Sequence, residues 1–227
     1  MISIRPPEYF PRPVYFALLD AADRFVLADT FQYSRQSFQN RALIRTPDGG
    51  HWITIPLKGS QHGVSIAETA IRGVPYWNRR HWRSLHYNYR TAPFFDFYEP
   101  ELKWIFERDW TRLGALTCAT VEVICGLLDI GTALERSTDM RGRPSELRQI
   151  LEAEQRDDLL SPMEAAKFDA EAVVPSAVLE VRELEYRQNF EGFVPGMSIL
   201  DLLFNYGPDT LTMIRRSAVV TMLKRSS

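Results

Sequence analysis

The densest pattern of apolar and polar positions lies near the carboxyl end, where Gly192 to Pro208 reads GFVPGMSILDLLFNYGP. Ile199, Leu202, Leu203 and Tyr206 recur at i, i+3, i+4 and i+7, with Leu200 and Phe204 on another side. That spacing predicts a short helix with little surface left for water. Ser198 followed by Asp201 fits the reciprocal capping pattern at its start, and Gly207 with Pro208 behind it marks its end. Asp201 and Asn205, four apart, share a face and form the only side-chain polar pair of the helix. They read either as cap and helix-end hydrogen-bonder or as a ligand-facing edge.

Ahead of this helix, strand-like and helix-like runs alternate. Ile2 to Ile4 is a short strand, and Pro6, Pro7, Pro11 and Pro13 then impose a stiff extended loop. Val14 to Ala22 is a helix and Arg24 to Leu27 a buried strand. Asp29 stands just past that strand's carboxyl end, where open α/β sheets bind ligands. With Gln32, Asn40 and Arg41 it makes a first candidate site segment, and a solvated loop is the competing reading. Ala42 to Thr46 and Trp52 to Leu57 form a hairpin about the turn Pro47-Asp48-Gly49-Gly50. Lys58 follows, then the connector Gly59 to Gly63.

Tyr76 to Arg90 is a helix with Trp82, Leu85 and Tyr89 as its stripe and Arg79, Arg80, His81, Arg83 and His86 elsewhere on it. Such a mixture either holds anionic groups through guanidinium forks or is a solvated basic face over a core stripe. Phe94 to Glu107 and Trp110 to Leu128 are further helices, Thr132 to Arg136 a strand, Asp139 to Pro144 a loop, and Ser145 opens another helix. Leu159 to Pro175 is weakly patterned. Val178 to Leu184 alternates as a partly exposed strand, with Val178, Glu180 and Arg182 against Leu179, Val181 and Glu183. The whole predicts an α/β fold: a mixed or mainly parallel sheet with flanking helices in a Rossmann-like three-layer arrangement, plus a β-hairpin and a helical subdomain at about residues 76–128.

Composition narrows this. A chain of 227 residues that is 45% hydrophobic can bury a full core, so one domain over residues 1–227 is expected. A formal net charge of −2 argues against nucleic acid or an anionic membrane as partner, since both demand a basic face. No leader pattern and no uninterrupted apolar run of about 18 residues occurs, so a soluble cytoplasmic protein without membrane insertion is expected. Cys118 and Cys125 lie about 10 Å apart on one helix face, too far for an unstrained disulfide, and read as core thiols. His81 and His86 point about 140° apart. With no HExxH, CxxC or calcium-loop spacing, no metal site is predicted. Neither a cofactor nor an oligomeric state is legible.

Four stretches carry a resemblance: YFPRPVYFALLDAADRFVLADTFQYSRQSFQNRALI from Tyr9, GGHWITIPLK from Gly49, YWNRRHWRSLHYNYRTAPFF from Tyr76, and GFVPGMSILDLLFNYGP from Gly192. In this order they resemble the WbqC-like family, whose name comes from surface-polysaccharide (O-antigen) gene clusters. The resemblance implies a cytoplasmic α/β enzyme of transferase type. It would act on activated sugars or small amine and acyl substrates, in polysaccharide or other small-molecule biosynthesis. By the same resemblance Asp29 and His81 are the candidate catalytic groups, either one a general base. Tyr9, Gln32, Asn40, Arg41, Lys58, Trp82, Asn88, Tyr89, Asp201 and Asn205 are the candidate substrate-binding set. Arg41 and Lys58 would hold an anion, Asn40 would orient the substrate, and Trp82 or Tyr89 would be a stacking wall.

The chain also departs from the family pattern. Arg5 and Pro6 stand where the opening loop has His and Gln, Val14 where it has Gly, and Ala28 where it has the first of two acids. Leu159 to Glu164 lacks the expected glycines, which closes off backbone approach to a ligand. A catalytically altered binding or accessory protein is therefore the alternative expectation.

Overall fold

The computed structural model describes residues 1–73, 76–182 and 184–223. Strands β1 (Ile2–Arg5), β2 (Arg24–Leu27) and β5 (Ala133–Arg136) form a parallel sheet in the order β1-β2-β5. A second sheet has the order β6-β7-β8, with β6 (Leu160–Pro162) and β7 (Ala177–Val181) parallel and β8 (Ala218–Met222) antiparallel at the edge. A parallel bridge between Ile2 and Leu159 and the Ser3 hydroxyl on the Leu160 carbonyl, at 3.0 Å, seat β6 beside β1. The sheets thus join into one run, β8-β7-β6-β1-β2-β5, in which only β8 is antiparallel. Between them in sequence lie α1 (Pro13–Ala21), the antiparallel hairpin β3 (Arg41–Thr46) and β4 (Gly49–Thr54), and three consecutive helices, α2 (Tyr76–Tyr89), α3 (Phe95–Glu107) and α4 (Leu113–Leu127). Helices α5 (Leu147–Glu154), α6 (Ala166–Ala172), α7 (Ile199–Tyr206) and α8 (Thr210–Ser217) complete the fold.

Strand alternation explains the layering. Side chains at every second position share a sheet face. Ile2 and Ile4 of β1 and Val26 of β2 pack with Leu147, Ile150 and Leu151 of α5, in a small cluster that includes Ala28. Phe25 and Leu27 of β2 point the other way, into the main cluster with α1, α4 and α7. The expected α/β architecture with helices on both faces is therefore present. Helices α2 to α4, the stretch expected as a subdomain, share that main cluster.

Several boundaries differ from those the pattern predicts. The hairpin register pairs Thr46 with Gly49, so Pro47 and Asp48 alone make the turn, and Leu57 leaves the ladder to bridge Ile71. Leu159 to Pro175 contains β6 and α6. A strand of three residues buried on both faces shows no alternation, and α6 buries none of its residues, so neither leaves a periodic signal. Strand β7 ends at Val181, and Glu183 of the alternating run lies outside the described residues.

The larger correction concerns α7. Its bounds match the pattern, but the capping box does not form: Ser198 makes no side-chain cap bond, and its hydroxyl is buried without a partner. Asp201 instead turns inward and accepts hydrogen bonds from Tyr89 at 2.9 Å and Tyr186 at 2.7 Å. Two phenol hydroxyls satisfy both carboxylate oxygens where a cap would satisfy one amide. At the other end Gly207 is required: its φ is +53°, and a Cβ there would stand 2.5 Å from the Phe94 ring.

Gly114 and Gly126 of α4 give a test of this packing. A Cβ at Gly114 would meet the Ala67 backbone at 2.6 Å, whereas nothing lies within 4 Å of one at Gly126. Gly114→Ala is expected to destabilise the protein by ~1–3 kcal/mol through overpacking. Gly126→Ala is expected to stabilise it by up to about 1 kcal/mol through helix propensity. Urea unfolding midpoints of the two variants, moving in opposite directions, check both.

Candidate functional site

The strand order sets where a crevice opens. From β1 the chain moves to β2 on one side, and from β6 to β7 on the other, so β1 and β6 are neighbours whose connections diverge. Ligands of open α/β sheets bind at such a switch point, beyond the carboxyl ends of the strands. The segments that leave these two ends are Pro6 to Arg12 and Met163 to Ala165.

The first of these is rigidly held. Its prolines restrict it, Tyr9 N–H bonds the Phe38 carbonyl at 3.0 Å, and the Thr120 hydroxyl donates to the Glu8 carbonyl at 3.1 Å. Phe10, fully buried, adopts a left-handed φ of 44°, the kind of local strain that collects at functional sites. Glu8 is consequently fixed in the wall of a cavity of about 110 Å³, lined also by Arg5, Arg12, Tyr15, Gln39 and Glu164. Among the described residues its carboxylate has no hydrogen-bond or ion-pair partner. Arg5 pairs instead with Asp169 at 2.7 Å and Arg12 with Glu164 at 2.9 Å. Desolvation raises the Glu8 pKa from 4.5 to about 7; Arg12 and Arg5 pull it down, and Glu164 pushes it up. A half-buried carboxyl that titrates near neutrality, beside two guanidinium groups, has the properties of an acid–base group.

A larger groove of about 410 Å³ adjoins it and shares Arg12, Val14, Pro162 and Glu164 with the smaller cavity. Its walls come from the start of α1, from β7, from Phe193 to Met197 and from Leu202 of α7.

The residues expected as the site are distributed differently. Gln32, Asn40 and Arg41 do converge, around a polar hollow of about 980 Å³ with His62 and the loop after Leu57; Lys58 is exposed beside it. His81 and Asn88 line a separate hollow of about 320 Å³ with His51 and Arg83. His81 is nearly fully buried, with Tyr9 Oη 3.1 Å from Nδ1 and the Thr54 carbonyl 3.2 Å from Nε2. Burial lowers its pKa to about 4, against the Thr54 contact and with Arg80 and His51, so the imidazole is neutral. Asp29 lines none of these hollows. Its carboxylate accepts bonds from Ser137 Oγ, Thr138 N and Thr138 Oγ1 at 2.8–3.0 Å, tying the end of β2 to the segment after β5. Tyr9 and Tyr89 are interior, and Trp82 packs on Phe95 and Phe106. Asn205 bonds back to the Asp201 carbonyl at 2.7 Å. Asp29, Asn40, Arg41 and His81 thus share no single hollow. Sequence reasoning missed Glu8, although the rule that singled out Asp29, an acid just beyond a strand's carboxyl end, applies equally to it.

Among the described residues no cluster of His, Cys, Asp or Glu could hold a metal ion, and no helix is long and apolar enough to cross a membrane. Both cysteines are free and buried.

Comparison with known proteins places these features in context. The sequence model of the WbqC-like protein family matches residues 6–213. The uncharacterized protein Rv1507c of Mycobacterium tuberculosis (strain ATCC 25618 / H37Rv) is 33% identical over 230 residues, covering 95% of this chain and 99% of that protein. No solved structure matches the chain.

The position of Glu8 has a thermodynamic signature. Because folding raises its pKa, the protonated carboxyl is favoured in the native state. Its stabilising contribution is complete below the unfolded value and lost as pH rises through about 7. The difference in urea midpoint between the wild type and Glu8→Gln is expected to shift against the wild type between about pH 4.5 and 7, then level off. A difference that is flat across this window contradicts the assignment.

Proposed function

The chain belongs to the WbqC-like protein family, and on that premise we propose that it is a biosynthetic enzyme of transferase type. Its reaction centre is the crevice between β1 and β6. The single observation that carries this reading is the unpaired Glu8 carboxyl on a rigid loop at the switch point, in contact with a cavity and close to Arg5 and Arg12. In the reading, an amine or hydroxyl acceptor sits against Glu8, which takes its proton as the acceptor's lone pair forms the new bond to an activated carbon. The bond to the leaving group breaks with its electron pair, and the proton on Glu8 passes to that group. Arg12 and Arg5 stabilise negative charge on the donor. Asp29 and His81, held by their hydrogen bonds, brace the strand end and the hairpin, and the polar hollow at Gln32, Asn40 and Arg41 accommodates a second substrate. The loop of residues 34–40 and the first residue of β3 contribute to both hollows, through Ser37 and Gln39 on one side and Asn40 and Arg41 on the other. A small-molecule substrate of a surface-polysaccharide or related pathway is consistent with family membership.

One observation favours the alternative of a catalytically altered binding or accessory protein. Arg5, which departs from the family pattern, is clamped to Asp169, and Glu164, from the divergent third-quarter loop, is clamped to Arg12. Both departures therefore meet in the same crevice.

Mass spectrometry of small molecules that copurify with the chain, followed by turnover assays with activated donors and amine or hydroxyl acceptors, separates the two. Glu8→Gln is expected to lower kcat by ~10²–10⁴, the usual contribution of a positioned base, and the wild-type rate to rise with pH to a plateau above about 7. Full activity in Glu8→Gln removes the proposed role. A wild-type chain that binds donor and acceptor without turnover supports the accessory reading.

A further inference from the structure

The groove beside Arg12 is walled by Val14, Leu179, Val181, Phe193, Met197 and Leu202. Tyr186 also lines it, but its hydroxyl is taken up by Asp201 at 2.7 Å, so this side chain offers the groove a ring and no free donor. At the end shared with the Glu8 cavity stands the Arg12 guanidinium, over the Phe38 ring at 4.3 Å. Of its five donors one meets Glu164, and Nε is buried without a partner. An apolar trough with unused cationic capacity at the end nearest an acid–base group is built for an amphiphile. A sugar nucleotide needs many fixed donors and acceptors, whereas the charged side chains of this lining are four, Arg12, Glu164, Glu180 and Arg182, among mostly apolar walls. The volume of about 410 Å³ falls within the ordinary range of small-molecule sites.

Resting on the crevice as the reaction centre, we propose that this groove holds the aliphatic chain of an acyl substrate, with the acyl head group at Arg12 and its carbonyl carbon facing Glu8. The donor class is therefore an acyl group of medium chain length, and Arg12 is its head-group residue. Because the chain lies between the start of α1, β7 and α7, groove length sets which acyl groups are accepted.

Calorimetric titration of the full chain with acetate, hexanoate, octanoate and decanoate, each below its aggregation threshold, tests this. Affinity is expected to tighten about four-fold per added methylene until the groove is full. Val181→Trp and, independently, Val194→Phe, both at positions outside the end shared with the Glu8 cavity, fill the trough and are expected to weaken decanoate roughly ten-fold or more while leaving acetate unchanged. Arg12→Met is expected to weaken every carboxylate in the series. Affinity that does not depend on chain length overturns the proposal, as does decanoate binding that ignores both filling variants. So does UDP-glucose binding that Val181→Trp abolishes. Glu8→Gln keeps the two readings apart. Chain-length dependence with unimpaired turnover in that variant rejects Glu8 as the base and leaves the groove assignment standing; lost turnover without chain-length dependence does the reverse.

Discussion

The structure depends on one pairing above all, the seating of β6 against β1. These strands lie some 155 residues apart in sequence, and they meet through a single parallel bridge, one amide–carbonyl bond and the Ser3 hydroxyl. Closing so long a loop is entropically unfavourable, by an amount that grows only slowly with length. What offsets it is burial on both sheet faces, by Leu160 in the main core and by Ile2, Ile4 and Leu159 in the smaller one. Once the two strands are neighbours, their connections leave in opposite directions. The crevice at their carboxyl ends follows from topology alone and needs no special residue to open it.

The Asp201 network shows how a second constraint ties the remaining elements to this frame. Tyr89 from α2 donates to Asp201 of α7 and accepts from the Arg45 amide of β3, and Tyr186 closes the other carboxylate oxygen. Arg45 itself reaches the Gln188 side chain at 3.1 Å, so the hairpin, α2, α7 and the segment before α7 share one buried set of polar contacts. Desolvation raises the Asp201 pKa, while its hydrogen bonds to Tyr186 and Tyr89 and the charge of Arg45 oppose that rise. Removing one member would strand the others without partners, which is costlier than the net worth of any single bond.

The fold was largely legible because its elements announce themselves over several residues: α1, β2, α2 and α7 lie within a residue or so of the periodic runs that predict them. Where an element is short or enclosed, as β6 is, alternation has nothing to contrast. The polar residues were harder to read for a different reason. A sequence marks which side chains are polar but not whether a partner comes from far along the chain. Asp29 waits for Ser137 and Thr138, and Asp201 for Tyr89, so both look free in sequence and are satisfied in space. Glu8 is the converse case, an acid in an unremarkable proline-rich loop that no distant donor among the described residues reaches.

This difference gives a physical criterion for where chemistry can reside in this fold. The oxygens of Asp29 and Asp201 are committed to donors that hold distant segments together, so a substrate reaching either carboxylate would have to displace them. A carboxyl that is desolvated yet unpaired can gain and lose a proton with little rearrangement. The backbone around it, held by Thr120, Phe38 and the prolines, keeps it in place meanwhile. The departures at Arg5 and at Leu159 to Glu164 act on this same point. Each brings a charged side chain whose own partner lies across the crevice, Asp169 for Arg5 and Arg12 for Glu164. Both ion pairs join the loop after β1 or its strand end to the segment after β6, so each divergent position is tied to a partner across the switch point. The two ion pairs tie one wall of the crevice to the other, on either side of an acid that neither pair includes, and so hold the spacing of the walls around Glu8.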